Sequence, residues 1–161
     1  MPFNEKYEER GDAIGTSAMM DGCSRVFHNL VVTPHDHLAA CCGLTLEHIP
    51  EMKFGDLKRA NIKDHFEDEL NDFLKIWIHI GGPAKIMGKL FQEEVIDGLK
   101  GVHHICQACA IMHQHPKVRE EIKKRYQEFV PEILSRFNLK VAMRSMEARS
   151  HKVLISNQQE A

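Results

Sequence analysis

Five cysteines and eleven histidines are the side chains of this 161-residue sequence best equipped for chemistry. The cysteines fall at Cys23, at the adjacent pair Cys41 and Cys42, and at a C-x-x-C formed by Cys106 and Cys109. An odd count with uneven spacing does not describe a disulfide framework, so metal binding or thiol chemistry is the expectation. A C-x-x-C turn sets two thiolates on one side of a tight loop, close enough to share one metal or two corners of a cluster. Cys23 stands at the entrance and Cys41 near the exit of a predicted β-hairpin, whose ends approach within about 5 Å across the ladder. Two distant pairs then meet as a four-thiolate cage of Cys23, Cys41, Cys106 and Cys109. Structural zinc sites usually combine two short knuckles and only one pair here is short, which favours a [4Fe-4S] cluster and leaves zinc as the alternative. A thiol oxidoreductase on Cys106 and Cys109 is the weakest option, because it wants a C-x-x-C opening a helix after a strand, whereas helix-like sequence precedes this one.

Seven histidines flank the cage in sequence: His28, His35, His37, His103, His104, His113 and His115. Any of them is able to replace a thiolate or donate a hydrogen bond to a cluster sulfur. His37 and His104 lead because they lie close to cysteines of the cage, whereas His115, preceding Pro116, belongs to a helix start. Met19, Met20, Met87 and Met112 read as core filler rather than as a substrate groove.

The elements that must position these groups follow from periodicity. Residues 24–33 alternate as a strand, Pro34-His35-Asp36-His37 supplies turn chemistry, and residues 38–42 return as the second strand. Residues 43–60 carry no period and read as a loop. After Asn61 the apolar positions Phe66, Leu70, Phe73, Leu74, Trp77 and Ile78 predict one amphipathic helix stopped at Gly81-Gly82. Pro83 opens a second helix that buries Ile86, Met87, Leu90, Phe91 and Ile96 and ends near residues 98–101. A third begins at Pro116 with Val118, Ile122, Phe129, Ile133 and Phe137 on one face, and Pro131 should kink or split it. The expected fold is α+β, a small β-hairpin sheet followed by about three α-helices. Residues 1–20 read as a linker or arm, 21–137 as the cluster-binding domain, and 138–161 as a C-terminal tail or an added strand.

Composition narrows the function classes. A chain of 18.5 kDa with 43% hydrophobic residues suits one domain. A formal net charge of −2 supplies no cationic surplus for nucleic acid. No apolar run approaches the roughly 20 residues that span a bilayer, and residues 1–20 lack signal-peptide character, so the expectation is a cytoplasmic protein with no nucleic-acid or membrane partner.

The stretch from Cys23 to Cys41, with Asn29-Leu30-Val31-Val32-Thr33-Pro34 leading into Asp36-His37-Leu38-Ala39-Ala40-Cys41-Cys42-Gly43, then Phe54-Gly55-Asp56-Leu57 and finally Cys106-x-x-Cys109, resembles the auxiliary-cluster domains of radical SAM enzymes. These are the SPASM domain and its shortened twitch form. The resemblance covers about residues 22–113 and implies that Cys23, Cys41, Cys106 and Cys109 hold one auxiliary [4Fe-4S] cluster, with Cys42 the spare. The family's turn usually carries Gly where this chain has Asp36. The second-cluster cysteines of a full SPASM domain are missing, which favours the twitch-like form. The C-x-x-x-C-x-x-C that binds the SAM-cleaving cluster is also missing, so the chain is not expected to be catalytic alone. The resemblance implies service to a radical SAM core domain or protein, by electron transfer or by docking a substrate such as a peptide.

Overall fold

The computed structural model of the chain describes residues 22–28, 31–42, 49–58, 61–91, 102 and 104–159. The expected arm over 1–20, with Met19 and Met20, lies outside the described residues, as do His103, Ile96 and the end of the second predicted helix.

The turn after Thr33 organises the sheet. Pro34 fixes its own φ, and Asp36 adopts φ 58°, the left-handed conformation that a short polar side chain tolerates and that Gly usually supplies. Thr33 Oγ1 accepts the His37 amide at 3.3 Å, and the Thr33 amide donates to the His37 carbonyl at 2.9 Å. Strand β1 (Val31–Val32) therefore pairs antiparallel with β2 (His37–Ala39), Val31 facing Ala39 and Val32 facing Leu38. The predicted strand over 24–33 is shorter than expected, since residues 24–28 form turns and Phe27 takes φ 68°. The cause is tertiary: the Cys23 amide donates to the Ile78 carbonyl at 2.9 Å, so this segment follows a helix end instead of a ladder.

The expected loop over 43–60 also needs correction. A 3-10 turn (Pro50–Met52) leads into β3 (Lys53–Asp56), which pairs antiparallel with the other edge of β2 and makes a three-stranded sheet in the order β1-β2-β3. A register shift between Leu38 and Ala39 and a φ of 126° at Gly55 hide this strand from a period-two pattern.

The helix predicted from Asn61 to Gly81 is two helices, α1 (Ile62–Asn71) and α2 (Phe73–Gly81). Asp72 breaks them by leaving the helical region and capping α2, its carboxylate accepting the Lys75 amide at 3.2 Å while pairing with the Lys75 ammonium. Gly82, at φ 74°, ends α2 where the sequence indicated. Helix α3 (Pro83–Phe91) begins on its proline. Helix α4 (Ile105–Gln114) was not expected, and it carries the C-x-x-C. Helix α5 (Pro116–Gln159) starts at the expected proline, with the Arg119 amide donating to the His115 carbonyl. It runs through Pro131 without being split, so residues 138–159 are helix and not a strand added to the hairpin.

The core lies where α2, α3, α4 and the first half of α5 meet. Trp77 stacks on Phe129 with ring centroids 4.8 Å apart, and Ile76, Ile78, Ile86, Met87, Met112, Val118 and Ile133 close round it. Met87 and Met112 are fully buried, as core filler should be. The molecule is thus an α+β fold of a small antiparallel sheet followed by helices.

Candidate metal centre

Three separately braced pieces of backbone carry the four cysteines. Cys23 follows Gly22, which lies so close to α2 that a Cβ there would stand 1.9 Å from the His79 carbonyl oxygen. The Cys23 amide donates to Ile78, and the Cys23 carbonyl accepts from Nδ1 of His79 at 3.1 Å. Because a carbonyl only accepts, the His79 ring must hold its proton on Nδ1. Burial lowers the His79 pKa to about 4, helped by the charge of Lys140 and opposed by the bond to Cys23, so the ring is neutral near pH 7. Cys41 leaves the end of β2, whose continuation is pinned where the Ala40 amide donates to the Met52 carbonyl at 2.9 Å.

Cys106 and Cys109 lie three residues apart in the first turns of α4, a spacing that puts them on one helix face. The expected tight loop is a helix start, and the reason is a capping box built on histidine. Nδ1 of His104 accepts the Cys106 amide at 3.1 Å, and the Gln107 side chain accepts the His104 amide at 3.1 Å. Serine, threonine, aspartate or asparagine is the usual residue at such a position.

All four cysteines line one cavity of about 540 Å³, whose wall also includes Val26, Ile49, Met52 and Ile78. Ser24, Arg25, Cys42 and His104 line it as well, all four exposed to solvent. No disulfide joins any of the five cysteines. The Cys109 thiol is pushed far up in pKa, first by burial and then by the negative charges that Cys41, Cys23 and Cys106 would carry. Four thiolates in a partly dry space repel one another unless a cation lies among them, so the donor set and the cavity fit a thiophilic metal group. Among the described residues no three His, Cys, Asp or Glu side chains gather closely enough for a single metal ion. With Cys42 included, all five cysteines line the one cavity.

Of the flanking histidines, only His104 lines this cavity among those described. His37 sits in β2 opposite Asp56 with its backbone in the turn. His28 and His35 are exposed on turns, and His115 joins α4 to α5. His113 is buried, its Nδ1 3.6 Å from Glu51, which also pairs with Arg119 at 3.0 Å. Burial lowers the His113 pKa, and the Glu51 carboxylate opposes that shift. Sequence reasoning missed Gly22 and His79. A lone histidine inside the apolar run Phe73–Gly81 was the available signal, since a polar ring there needs a partner.

The chain matches no family model, no curated protein and no solved structure in the three comparisons made. Among the described residues no helix is long and apolar enough to cross a membrane.

Proposed function

We propose that this chain binds one auxiliary [4Fe-4S] cluster through Cys23, Cys41, Cys106 and Cys109 and serves radical SAM chemistry, within a larger enzyme or beside a separate SAM-cleaving core protein. The observation that carries the reading is the meeting of four thiols at one cavity although 86 positions separate Cys23 from Cys109. The preference for a cluster over zinc rests on the cysteine spacing, since structural zinc sites usually combine two short knuckles and only Cys106 and Cys109 form a short pair.

When bound, such a cluster would supply a one-electron donor or acceptor beside a substrate. The chain's own residues do the rest. Gly22 and His79 fix Cys23 against α2, the sheet holds Cys41, and the His104 cap holds the C-x-x-C turn. Val26, Ile49, Met52 and Ile78 supply apolar walls that limit water. A reducing cytoplasm, where thiols persist, is the compartment this chemistry requires.

Anaerobic purification with metal and acid-labile sulfide analysis tests the proposal. About four irons and four sulfides per chain, the content of one [4Fe-4S] group, are expected. One zinc and no sulfide would replace the reading with a structural zinc module acting in protein interactions. Neither metal would overturn both. With SAM and a strong reductant, the isolated chain should release no 5′-deoxyadenosine, because it lacks the C-x-x-x-C-x-x-C motif.

A further inference from the structure

Five thiols line the cavity, and the proposed cage uses four of them. The remaining one is placed differently. Cys23, Cys41, Cys106 and Cys109 are partly buried, whereas Cys42 is exposed. Ser24, Arg25 and His104 are the other exposed parts of the wall, so these three and Cys42 mark where the cavity opens to solvent.

The backbone explains how two neighbouring cysteines share one cavity. In a regular strand adjacent side chains point to opposite faces, and one of the pair would turn away from the site. Strand β2 ends at Ala39, the chain bends at Ala40, and Cys41 and Cys42 then both line the cavity. The peptide between them holds their Cα atoms about 3.8 Å apart. A thiol at the mouth is thus tethered to a thiol of the proposed cage.

We infer, on the four-thiolate reading above, that Cys42 is the entry thiol of this cavity: it takes metal from a donor that carries it on thiolates and hands it to Cys41. A thiolate is the metal-binding form, and one thiolate on a metal gives way by exchange for another. At the mouth the Cys42 thiol gives up its proton and its sulfur bonds to the metal, while one donor thiolate leaves and takes a proton up. A second exchange moves that bond to Cys41, which loses its proton as Cys42 regains one. No electron is transferred, so neither oxidant nor reductant is required. Without Cys42 a bulky donor, such as a metal held by several glutathione molecules, would have to enter a cavity of about 540 Å³ to meet the partly buried Cys41. Arg25 puts a cationic residue at the same opening, suited to a donor whose thiolates and carboxylates leave it negative.

Timed loading of the full metal-free chain, with metal analysis of desalted samples, tests the hand-over. Two probes are each presented on excess glutathione: ferrous iron with sulfide, and zinc. Cys42→Ser should slow uptake about tenfold, because exchange between tethered neighbours runs at a high effective concentration that the variant loses. Return of metal to glutathione should slow by the same factor, leaving the final content unchanged, since a residue on the path moves both rates and a ligand moves the equilibrium. With the same metals offered as aqua ions the two chains should load alike, because water leaves without an attacking thiol. Equal rates from glutathione for wild type and Cys42→Ser overturn the inference. So does a Cys42→Ser chain that holds less metal at equilibrium, which would make Cys42 a ligand, or one equally slowed with aqua ions, which would make its effect structural. A wild type that takes zinc but no iron and sulfide, with zinc uptake slowed in Cys42→Ser, removes the cluster reading and supports the entry role.

Discussion

Replacing Gly22 with alanine probes the bracing of the candidate site more sharply than removing a cysteine. The new Cβ would lie 1.9 Å from the His79 carbonyl oxygen and 2.9 Å from the Ile80 carbonyl carbon, where ordinary contact begins at 3.4 Å. Both obstacles are helix backbone and cannot swing aside. Residues 22 and 23 must therefore lift from α2 by about 1.5 Å, which stretches the 2.9 Å bond to Ile78 and the 3.1 Å bond to His79 past hydrogen-bonding range. Two lost bonds, one of which leaves the buried His79 ring unpaired while the Ile78 carbonyl keeps the Gly82 amide, plus the overpacking, cost about 2–4 kcal/mol, a large share of the 5–15 kcal/mol typical of a domain. Urea unfolding measures the stability, and metal content per chain reports on Cys23. Gly88→Ala is the control, since a Cβ there meets nothing within 4 Å and removes a helical glycine, so it should stabilise by about 0.5–1 kcal/mol. A Gly22→Ala chain with wild-type midpoint and metal content would refute the close docking of this segment on α2.

Three further outcomes follow from the same geometry. Cys41→Ser or Cys106→Ser should abolish metal loading and lower the unfolding midpoint, while Cys42→Ser, at an exposed position, should do neither; the reverse result for the adjacent pair would shift the ligand by one residue. His104→Asn keeps an N-cap acceptor but removes the ring donor that remains once Nδ1 is committed to Cys106, so α4 should persist while the reduction potential of a bound cluster falls by about 59 mV, tenfold in a one-electron equilibrium. An unchanged potential would restrict His104 to capping. His79, lowered to about 4, and His113, also lowered, take up protons more readily when unfolded, so stability should fall as pH drops from 6.5 toward 4. His113→Gln should flatten that slope in pH-dependent thermal melts.

The Thr33–His37 turn was legible because turn chemistry is a local signal, and it forms where Pro34 and Asp36 indicated. The helix starts at Pro83 and Pro116 and the stop at Gly82 were legible for the same reason. What escaped was set by tertiary partners. Residues 24–28 alternate like a strand but form turns behind Cys23, which is the residue that bonds to α2, and β3 exists only because β2 offers it an edge. Asp72 looked like one polar residue on a helix face, and its capping role appears only with the break it causes. Helix α4 was hidden because its N-cap is His104, a residue rarely read as a start signal.

The choice between the two roles of the proposed cluster turns on how many ligands the chain supplies. Four cysteines for the four irons of the proposed cluster would leave no iron open, and each proposed ligand is held by backbone that has another structural duty: Cys23 by α2, Cys41 by the sheet, Cys106 and Cys109 by the capped turn of α4. Releasing any one of them to admit a substrate would give up an iron–thiolate bond that ties separate parts of the domain together, which binding of a peptide would then have to offset. The arrangement therefore favours electron transfer over substrate ligation. Electron paramagnetic resonance of the reduced, loaded chain checks this directly: its spectrum should stay unchanged when peptides bearing free amino and carboxylate groups are added, and a shift in g values on addition would mean that an iron has exchanged a cysteine for substrate.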